Sequence, residues 1–342
     1  MYRKTLKVAL VLIYLVIIAG AVVRMTGSGM GCPDWPKCFG YYIPPTEEAT
    51  LLWDSNREFK KGNVIIVDRA LQVAKQDFVT ALAYDQSNWE PYTEHDYATF
   101  NVWHTWIEYI NRLLGALSGL AILIMAILSI WKWNQRKRIT LISWQSVGLI
   151  GFQGWLGATV VYSVLAPVRI TIHMVMALII VGVLLYLLHL SKEKTTVIKS
   201  YSKRFKWLLG LSLLFTLIQI VLGTQVRQLV DDQVAIVGYE DKSAWLQNPT
   251  LVFYLHRSFS ILVVLVNVLL WRWNSQNQYN LKGFNGILAL LTVEALTGIL
   301  MYYLDFPFLS QPLHLVIATL LFGIQCYLFL QVFTKEKLVK LS

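Results

Sequence analysis

Three histidines stand at equivalent places in the apolar part of the sequence. His173, His256 and His314 each lie one or two turns inside a hydrophobic run, near the end that we assign to the outer membrane surface. One such histidine would be explained by a hydrogen bond at the interface, but three at one depth favour a shared role. Imidazole is a common axial ligand of heme iron, and helical bundles build such sites from facing helices. The spacing therefore predicts heme ligation between helices.

The histidines form one complete pair and one incomplete pair. His256 and His314 belong to the second and fourth helices of the C-terminal half, so they can ligate one heme from both sides. The equivalent positions of the N-terminal half are Asn111 and His173, of which only the histidine ligates iron well. We expect a six-coordinate heme that passes electrons in the C-terminal half and a five-coordinate heme with an open face in the other.

Charged residues accompany this pattern. Glu108 lies one turn before Asn111 on the same helical face, and an acid inside a membrane helix is a functional candidate. The alternative for Glu108 is a structural ion pair with Arg112 or Arg24. Arginines at the outer helix ends can pair with heme propionates or with phospholipid head groups. They are Arg24, Arg112, Arg169, Arg227 and Arg257.

The elements that must position these residues are membrane helices. Hydrophobic residues make up 56% of the chain and the mean hydropathy is +0.52, which is typical of a membrane protein. Eight apolar runs are long enough to cross a hydrocarbon core of about 30 Å. They fall roughly at 6–23, 107–131, 141–161, 170–190, 207–226, 252–273, 284–303 and 313–333. The first run lacks a small-residue cleavage pattern after it, so we interpret it as a helix and not as a signal peptide.

The sequence repeats itself. In the N-terminal half "AGAVVRM" and "IEYINRLLG" match "LGTQVRQ" and "VFYLHRSFS" of the C-terminal half, and Gln153 matches Glu294. Four spans in each half give both halves the same orientation. We expect an all-α integral membrane protein with eight transmembrane helices in two tandem, parallel-repeat four-helix bundles, at residues 1–200 and 201–342.

Charge and cysteines set the orientation. Lysine and arginine cluster after the second, fourth and eighth helices, which predicts that both termini are cytoplasmic. The net charge of +10 is explained by this topology without a nucleic-acid partner. Cys32 and Cys38 then lie on the oxidising side, where a disulfide bond is expected; free thiols or a redox-active pair are the alternatives. Cys326 is interpreted as an apolar core residue.

A long outer segment at residues 24–101 separates the first two helices. Apolar residues recur at roughly helical spacing after Gly62 within residues 57–84. This spacing predicts at least one amphipathic helix that lies on the membrane surface or caps the bundle.

Five segments together carry a family resemblance. They are "VVRMTGSGMGCPDWPKCFG", "WIEYINRLLGALSG", "PVRITIHMVMALI", "VFYLHRS" and "QPLHLVIATLLFG". They resemble the heme A synthases, bacterial membrane enzymes that convert heme O to heme A for cytochrome c oxidase. The resemblance covers both halves except residues 41–100. It implies a duplicated eight-helix bundle, a heme b cofactor in the C-terminal half, substrate heme in the N-terminal half, and oxidation of a ring methyl to a formyl group through two hydroxylations and a dehydration.

Carried over by position, the resemblance assigns the site residues. His256 and His314 become the heme b ligands, with Arg227 and Arg257 beside that heme. His173 becomes a ligand of the substrate heme, with Asn111, Arg112 and Arg24 around it, and Glu108 becomes the acid of the EYxxR motif.

One departure from the family pattern is Asn111, which stands where many members have a histidine. His104 lies on the same face but about 10 Å along the helix from Asn111, too far to ligate the same iron unless the heme is shifted.

Two other functions use similar features. A diheme electron carrier or quinone oxidoreductase would want a second pair of histidines, and a transporter with parallel repeats would want broken helices at mid-membrane. The resemblance favours the synthase in the bacterial cytoplasmic membrane. Its implied partners are heme O, an unidentified electron donor, heme O synthase and oxidase assembly factors.

Overall fold

Helices dominate the molecule. The computed structural model describes residues 1–192 and 200–333, so the basic residues at 335–340 that helped to predict orientation lie outside the described part. The described residues form eight α-helices. They are α1 (Tyr2–Met25), α2 (Val102–Ser129), α3 (Trp133–Tyr162), α4 (Pro167–Leu190), α5 (Lys203–Val237), α6 (Leu251–Gln276), α7 (Gly283–Tyr303) and α8 (Ser310–Phe333). The predicted all-α class is confirmed for the membrane part of the chain.

Seven helical segments of the described chain are long and apolar enough to cross a membrane. The longest, Val102–Tyr162, contains both α2 and α3. A 3-10 turn at Ile130–Lys132 joins the two helices, and Arg136 departs from helical backbone angles just inside α3. The chain is therefore a multi-pass membrane protein.

The segment between α1 and α2 differs from the prediction, because its residues 57–84 contain no α-helix. They form β1 (Glu58–Phe59), β2 (Val64–Val67), β3 (Ala70–Ala74) and β4 (Phe78–Val79), and β5 (Trp89–Pro91) follows. β1 pairs with β4, and β2, β3 and β5 make an antiparallel three-stranded sheet. The predicted amphipathic helix is wrong.

The physical reason is a β-hairpin signal. β2 is a run of β-branched residues, which favour strands. Val67 pairs with Ala70 across a two-residue turn, and both turn residues, Asp68 and Arg69, have positive φ, as the tight turns of hairpins require. The strands enclose an apolar cluster of their own, formed by Phe59, Ile65, Ala74 and Trp89.

The Cα positions group into two compact units. One contains residues 15–119 and 151–173, and the other contains residues 1–14, 120–150 and the described residues from 174 onward. The predicted division at residue 200 into two bundles stays a prediction.

A polar cluster ties three helices of the second unit. The hydroxyl of Ser212 on α5 donates to Oδ1 of Asn267 on α6 at 3.0 Å, and Nε2 of Gln325 on α8 lies 3.0 Å from both groups. All three side chains are fully buried. Hydrogen bonds of this kind hold helices together where the hydrophobic effect gives no preference between lipid and protein.

Candidate functional site

The rings of the two predicted ligands of the C-terminal half lie next to each other in an edge-to-face arrangement. The ring centroids of His256 on α6 and His314 on α8 are 6.4 Å apart, with 66° between the ring planes. Two imidazoles that bind one metal from opposite sides through bonds of about 2 Å have centroids about 6 Å apart. The spacing of this pair therefore fits axial ligation of one iron.

His314 also has two partners on α7. Its Nδ1 lies 2.8 Å from the hydroxyl of Thr297, and its Nε2 lies 3.3 Å from Oε1 of Glu294. The other carboxylate oxygen of Glu294 is buried without a partner. Iron binding at His314 has to displace one of the two contacts. In the sequence Glu294 is the repeat counterpart of Gln153, and an acid inside a membrane helix is itself a signal of a functional residue.

His256 is held by α5. Nε2 of Gln219 donates to the backbone carbonyl of His256 at 3.0 Å and lies 3.2 Å from the ring Nδ1. Gly223 faces the ring, since a Cβ at Gly223 would lie 3.1 Å from Cε1 of His256. The described hydrogen bonds of the ring thus involve Nδ1 and leave Nε2 for a ligand.

Two arginines were assigned to the C-terminal heme: Arg257, which follows His256 on α6, and Arg227, which lies one turn after Gly223 on α5. Arg227 on α5 forms an ion pair with Asp231 at 2.6 Å. Arg257 is exposed, and its guanidinium lies over the rings of Phe253 and Tyr254. Their contact with heme propionates stays a prediction.

The third histidine repeats the arrangement in the other unit. Nε2 of Gln153 on α3 donates to the carbonyl of His173 at 3.0 Å and lies 3.3 Å from Nε2 of the ring. A Cβ at Gly157 would lie 3.3 Å from Cε1 of His173. The ring Nδ1 and the amide oxygen of Gln153 are buried without partners. An unpartnered ring nitrogen in such a place fits a ligand to iron.

Asn111 lies against α1. Its side-chain oxygen is buried without a partner, and a Cβ at Gly20 would lie 3.8 Å from that oxygen. Asn111 thus faces a glycine of the preceding helix, as His173 and His256 do. His104 lies two turns earlier in α2, and its backbone packs against Gly31.

Glu108 and Arg112 form a buried ion pair that holds the loop after α1. Arg112 makes five hydrogen bonds, two to Oε1 of Glu108 and one to each of three loop carbonyls, at Cys32, Asp34 and Lys37. Arginine has five N–H donors, so all are used. The side chains of Arg112 and Glu108 are 13% and 5% exposed.

Glu108 thus forms the ion pair with Arg112 that was one of the two interpretations of this residue. Its second carboxylate oxygen accepts the N–H of Cys32 at 2.8 Å. Contact of Arg112 with a heme propionate stays a prediction and would require one of its five bonds to open. Arg24 lies in the last turn of α1, and Arg169 on α4 donates to the carbonyl of Thr159 at 2.8 Å.

The clamped loop contains the predicted disulfide bond between Cys32 and Cys38. Asp34 lies inside this loop and accepts the N–H groups of Phe39 and Gly40. Burial raises the pKa of the Asp34 carboxyl above its usual value, while the Gly40 hydrogen bond and the Arg112 charge oppose that rise. Cys326 on α8 is a free, buried cysteine, as expected.

Comparison with known proteins gives a consistent result. Residues 3–326 match the family described as cytochrome oxidase assembly protein. A heme A synthase of Shewanella oneidensis is 27% identical over 64% of this chain, but the match spans only 54% of that protein. The heme A synthase of Alkalihalophilus pseudofirmus is 24% identical over 92% of each chain. That of Rickettsia africae is 23% identical over 95% of this chain and 96% of its own length.

Proposed function

This chain belongs to the cytochrome oxidase assembly protein family, and on that basis we propose that it is a heme A synthase, an oxidoreductase that converts heme O to heme A. The observation that carries the proposal is the His256–His314 pair, whose ring separation of 6.4 Å suits axial ligation. A transporter has no use for such a pair.

The membrane architecture that we propose has eight spans. α2 and α3 contain 28 and 30 residues, and each exceeds the roughly 20 residues that one crossing needs. With α2 and α3 counted separately, each half of the chain has four helices. Lysine and arginine follow α2, α4 and α8, so both termini face the cytoplasm of a bacterial cell and the disulfide loop faces outward.

His256 and His314 would hold heme b in the C-terminal half. Heme iron held there would supply one-electron transfer. The residues of this chain orient the ligands: Gln219 fixes the backbone and ring of His256, and Thr297 and Glu294 contact the ring of His314. Arg227 and Arg257 would pair with the propionates near the outer surface.

The substrate, heme O, would be held by His173 in the N-terminal half, with Arg24 and Arg112 assigned to its propionates. The buried, unpartnered Nδ1 of His173 supports this assignment. Asn111 is a poor ligand, so it would leave the second face of the substrate iron open. As the family resemblance implies, the ring methyl would be oxidised by four electrons in two hydroxylations, each of which consumes an oxidant and adds one oxygen atom, and loss of water from the resulting diol would give the formyl group.

Glu108 is the proposed acid of this site. Its ion pair with Arg112 fixes the carboxylate in place, where it can stabilise positive charge that develops on the substrate. Heme O synthase, oxidase assembly factors and an electron donor are the proposed partners.

The test is a pyridine hemochrome spectrum of the purified protein together with that of Glu108→Gln. The synthase is expected to contain heme b with heme A or its alcohol precursor. Glu108→Gln is expected to retain heme b but to accumulate heme O or the alcohol. Heme b alone in the unaltered protein would favour the diheme electron carrier, and absence of any heme would favour the transporter.

A further inference from the structure

One spacing recurs on three helices of the described chain. A polar residue precedes a glycine by four positions, and both face a histidine on the next helix. The sets are Gln153, Gly157 and His173; Gln219, Gly223 and His256; and Glu294, Gly298 and His314. Residues four apart lie on one helical face, so each polar side chain and its glycine present a single surface to the ring.

The glycine leaves room for the histidine ring, because it has no side chain. A Cβ at Gly157, Gly223 or Gly298 would lie 3.3, 3.1 or 3.6 Å from Cε1 of the facing histidine. The first two distances are shorter than ordinary van der Waals contact. Each ring therefore packs directly on the backbone of the preceding helix, which brings the two helices close together at the depth of the histidine.

The glutamine restrains the ring from its edge. In both glutamine sets one Nε2 atom donates to the histidine carbonyl at 3.0 Å and lies within 3.3 Å of a ring nitrogen. Rotation of an imidazole about χ2 is otherwise broad. One amide thus ties the ring to its own backbone. Iron binding by the other ring nitrogen, Nδ1 in His173 and Nε2 in His256, requires the imidazole proton on the nitrogen beside the glutamine, and rotation of the carboxamide would offer its oxygen, buried without a partner in both glutamines, as the acceptor.

The pair of helices α1 and α2 has the glycine of this arrangement but neither the polar residue nor the histidine. α1 keeps the glycine, Gly20, opposite Asn111, but the residue four positions earlier is Val16. In this pair the iron ligand and the polar partner are both replaced while the glycine remains. The joint replacement indicates that the polar residue serves the histidine and not the packing of the helices.

We propose that Gln153 and Gln219 are positioning residues that hold the rings of His173 and His256 for heme iron, and that Val16 and Asn111 are the two replaced parts of a fourth such set. This inference rests on the proposed function, because it takes the histidines as iron ligands. Partners of this kind typically change metal affinity by about 10- to 100-fold when removed.

The first experiment compares the full-length protein with three variants: Gln219→Leu, Gln219→Glu, and Gln225→Leu as a control on the exposed face of α5. The rate of heme b loss to excess apomyoglobin and the heme midpoint potential are measured. Gln219→Leu is expected to lose heme about 10- to 100-fold faster. Gln219→Glu introduces the residue that stands at the equivalent position 294. This variant is expected to retain heme with a more negative midpoint potential, because a carboxylate beside the ligand favours oxidised iron. Gln225→Leu is expected to match the unaltered protein.

The outcomes separate the two proposals. If the unaltered protein binds no heme b, the proposed function fails. If it binds heme b and both Gln219 variants keep its loss rate and potential, only the positioning role fails. Should Gln219→Leu not fold, the potential of Gln219→Glu still decides.

The second experiment introduces a histidine at position 111 of α2 and a glutamine at position 16 of α1. Asn111→His is compared with the double variant Val16→Gln/Asn111→His by electron paramagnetic resonance of the bound hemes. The double variant is expected to convert more high-spin heme to low-spin heme than the single variant, because its new histidine has the amide partner. Identical spectra from the two variants would overturn the assignment of Val16.

Discussion

Replacement of Arg112 by lysine should expose the Cys32–Cys38 disulfide bond to reductant. Lysine keeps the positive charge beside Glu108 but offers three N–H donors in place of five, so at least two of the five hydrogen bonds of Arg112 are lost. A hydrogen bond to a charged group contributes about 1.5 to 3 kcal/mol. The lower value for two bonds gives about 3 kcal/mol. At 1.4 kcal/mol per factor of ten, the population of the opened loop should rise about 100-fold.

The assay follows reduction of the purified protein by dithiothreitol, with alkylation and mass spectrometry at each time point. When the loop opens and closes faster than it is reduced, the reduction rate reports the opened population. Arg257→Lys is the matched control, since Arg257 occupies the equivalent repeat position but is exposed over two aromatic rings. Its rate should equal that of the unaltered protein. Equal rates for Arg112→Lys and the unaltered protein would show that the hydrogen bonds of Arg112 do not hold the disulfide loop closed.

Three further predictions concern other parts of the chain. His256→Ala should remove the low-spin heme b signal, because it deletes one of two facing ligands, whereas an unchanged spectrum would defeat the assignment. Asn267→Leu should lower the free energy of unfolding by about 1 to 2 kcal/mol, measured by circular dichroism in detergent, since its amide oxygen accepts from both Ser212 and Gln325; a variant as stable as the unaltered protein contradicts this. Arg69→Gly should slow amide hydrogen exchange in β2 and β3 by about fivefold, because it relieves a positive φ that costs about 1 kcal/mol; faster exchange would show that the turn does not limit the hairpin.

The sequence predicted those parts of the site that depend on helical periodicity and repetition. His256 and His314 were paired because equivalent residues of facing helices meet in a bundle, and the structure brings their rings together. Gln153 and Gln219 were not assigned, since a glutamine in an apolar helix shows no partner until the neighbouring helix is placed.

Other parts depend on long-range or local chemistry that periodicity misses. Three of the five hydrogen bonds of Arg112 reach carbonyls 75 to 80 positions earlier in the chain, and helical periodicity does not indicate contacts at such separations. In the outer segment the β-branched run and the turn at Asp68 and Arg69 outweighed the approximate helical spacing. The hairpin signal is therefore local and present in the sequence itself.

The hydrogen bonds between Arg112 and the loop of Cys32 and Cys38 also set an order of events during synthesis. Cys32 and Cys38 are fully buried in the finished protein, yet the guanidinium that encloses their loop is made 80 residues after Cys32. At about 5 to 20 residues per second, the cysteines are made about 4 to 16 s before Arg112. Oxidation of the thiols is therefore easiest in that interval, before α2 inserts. A chain that misses it must reopen a buried ion pair in order to form the bond.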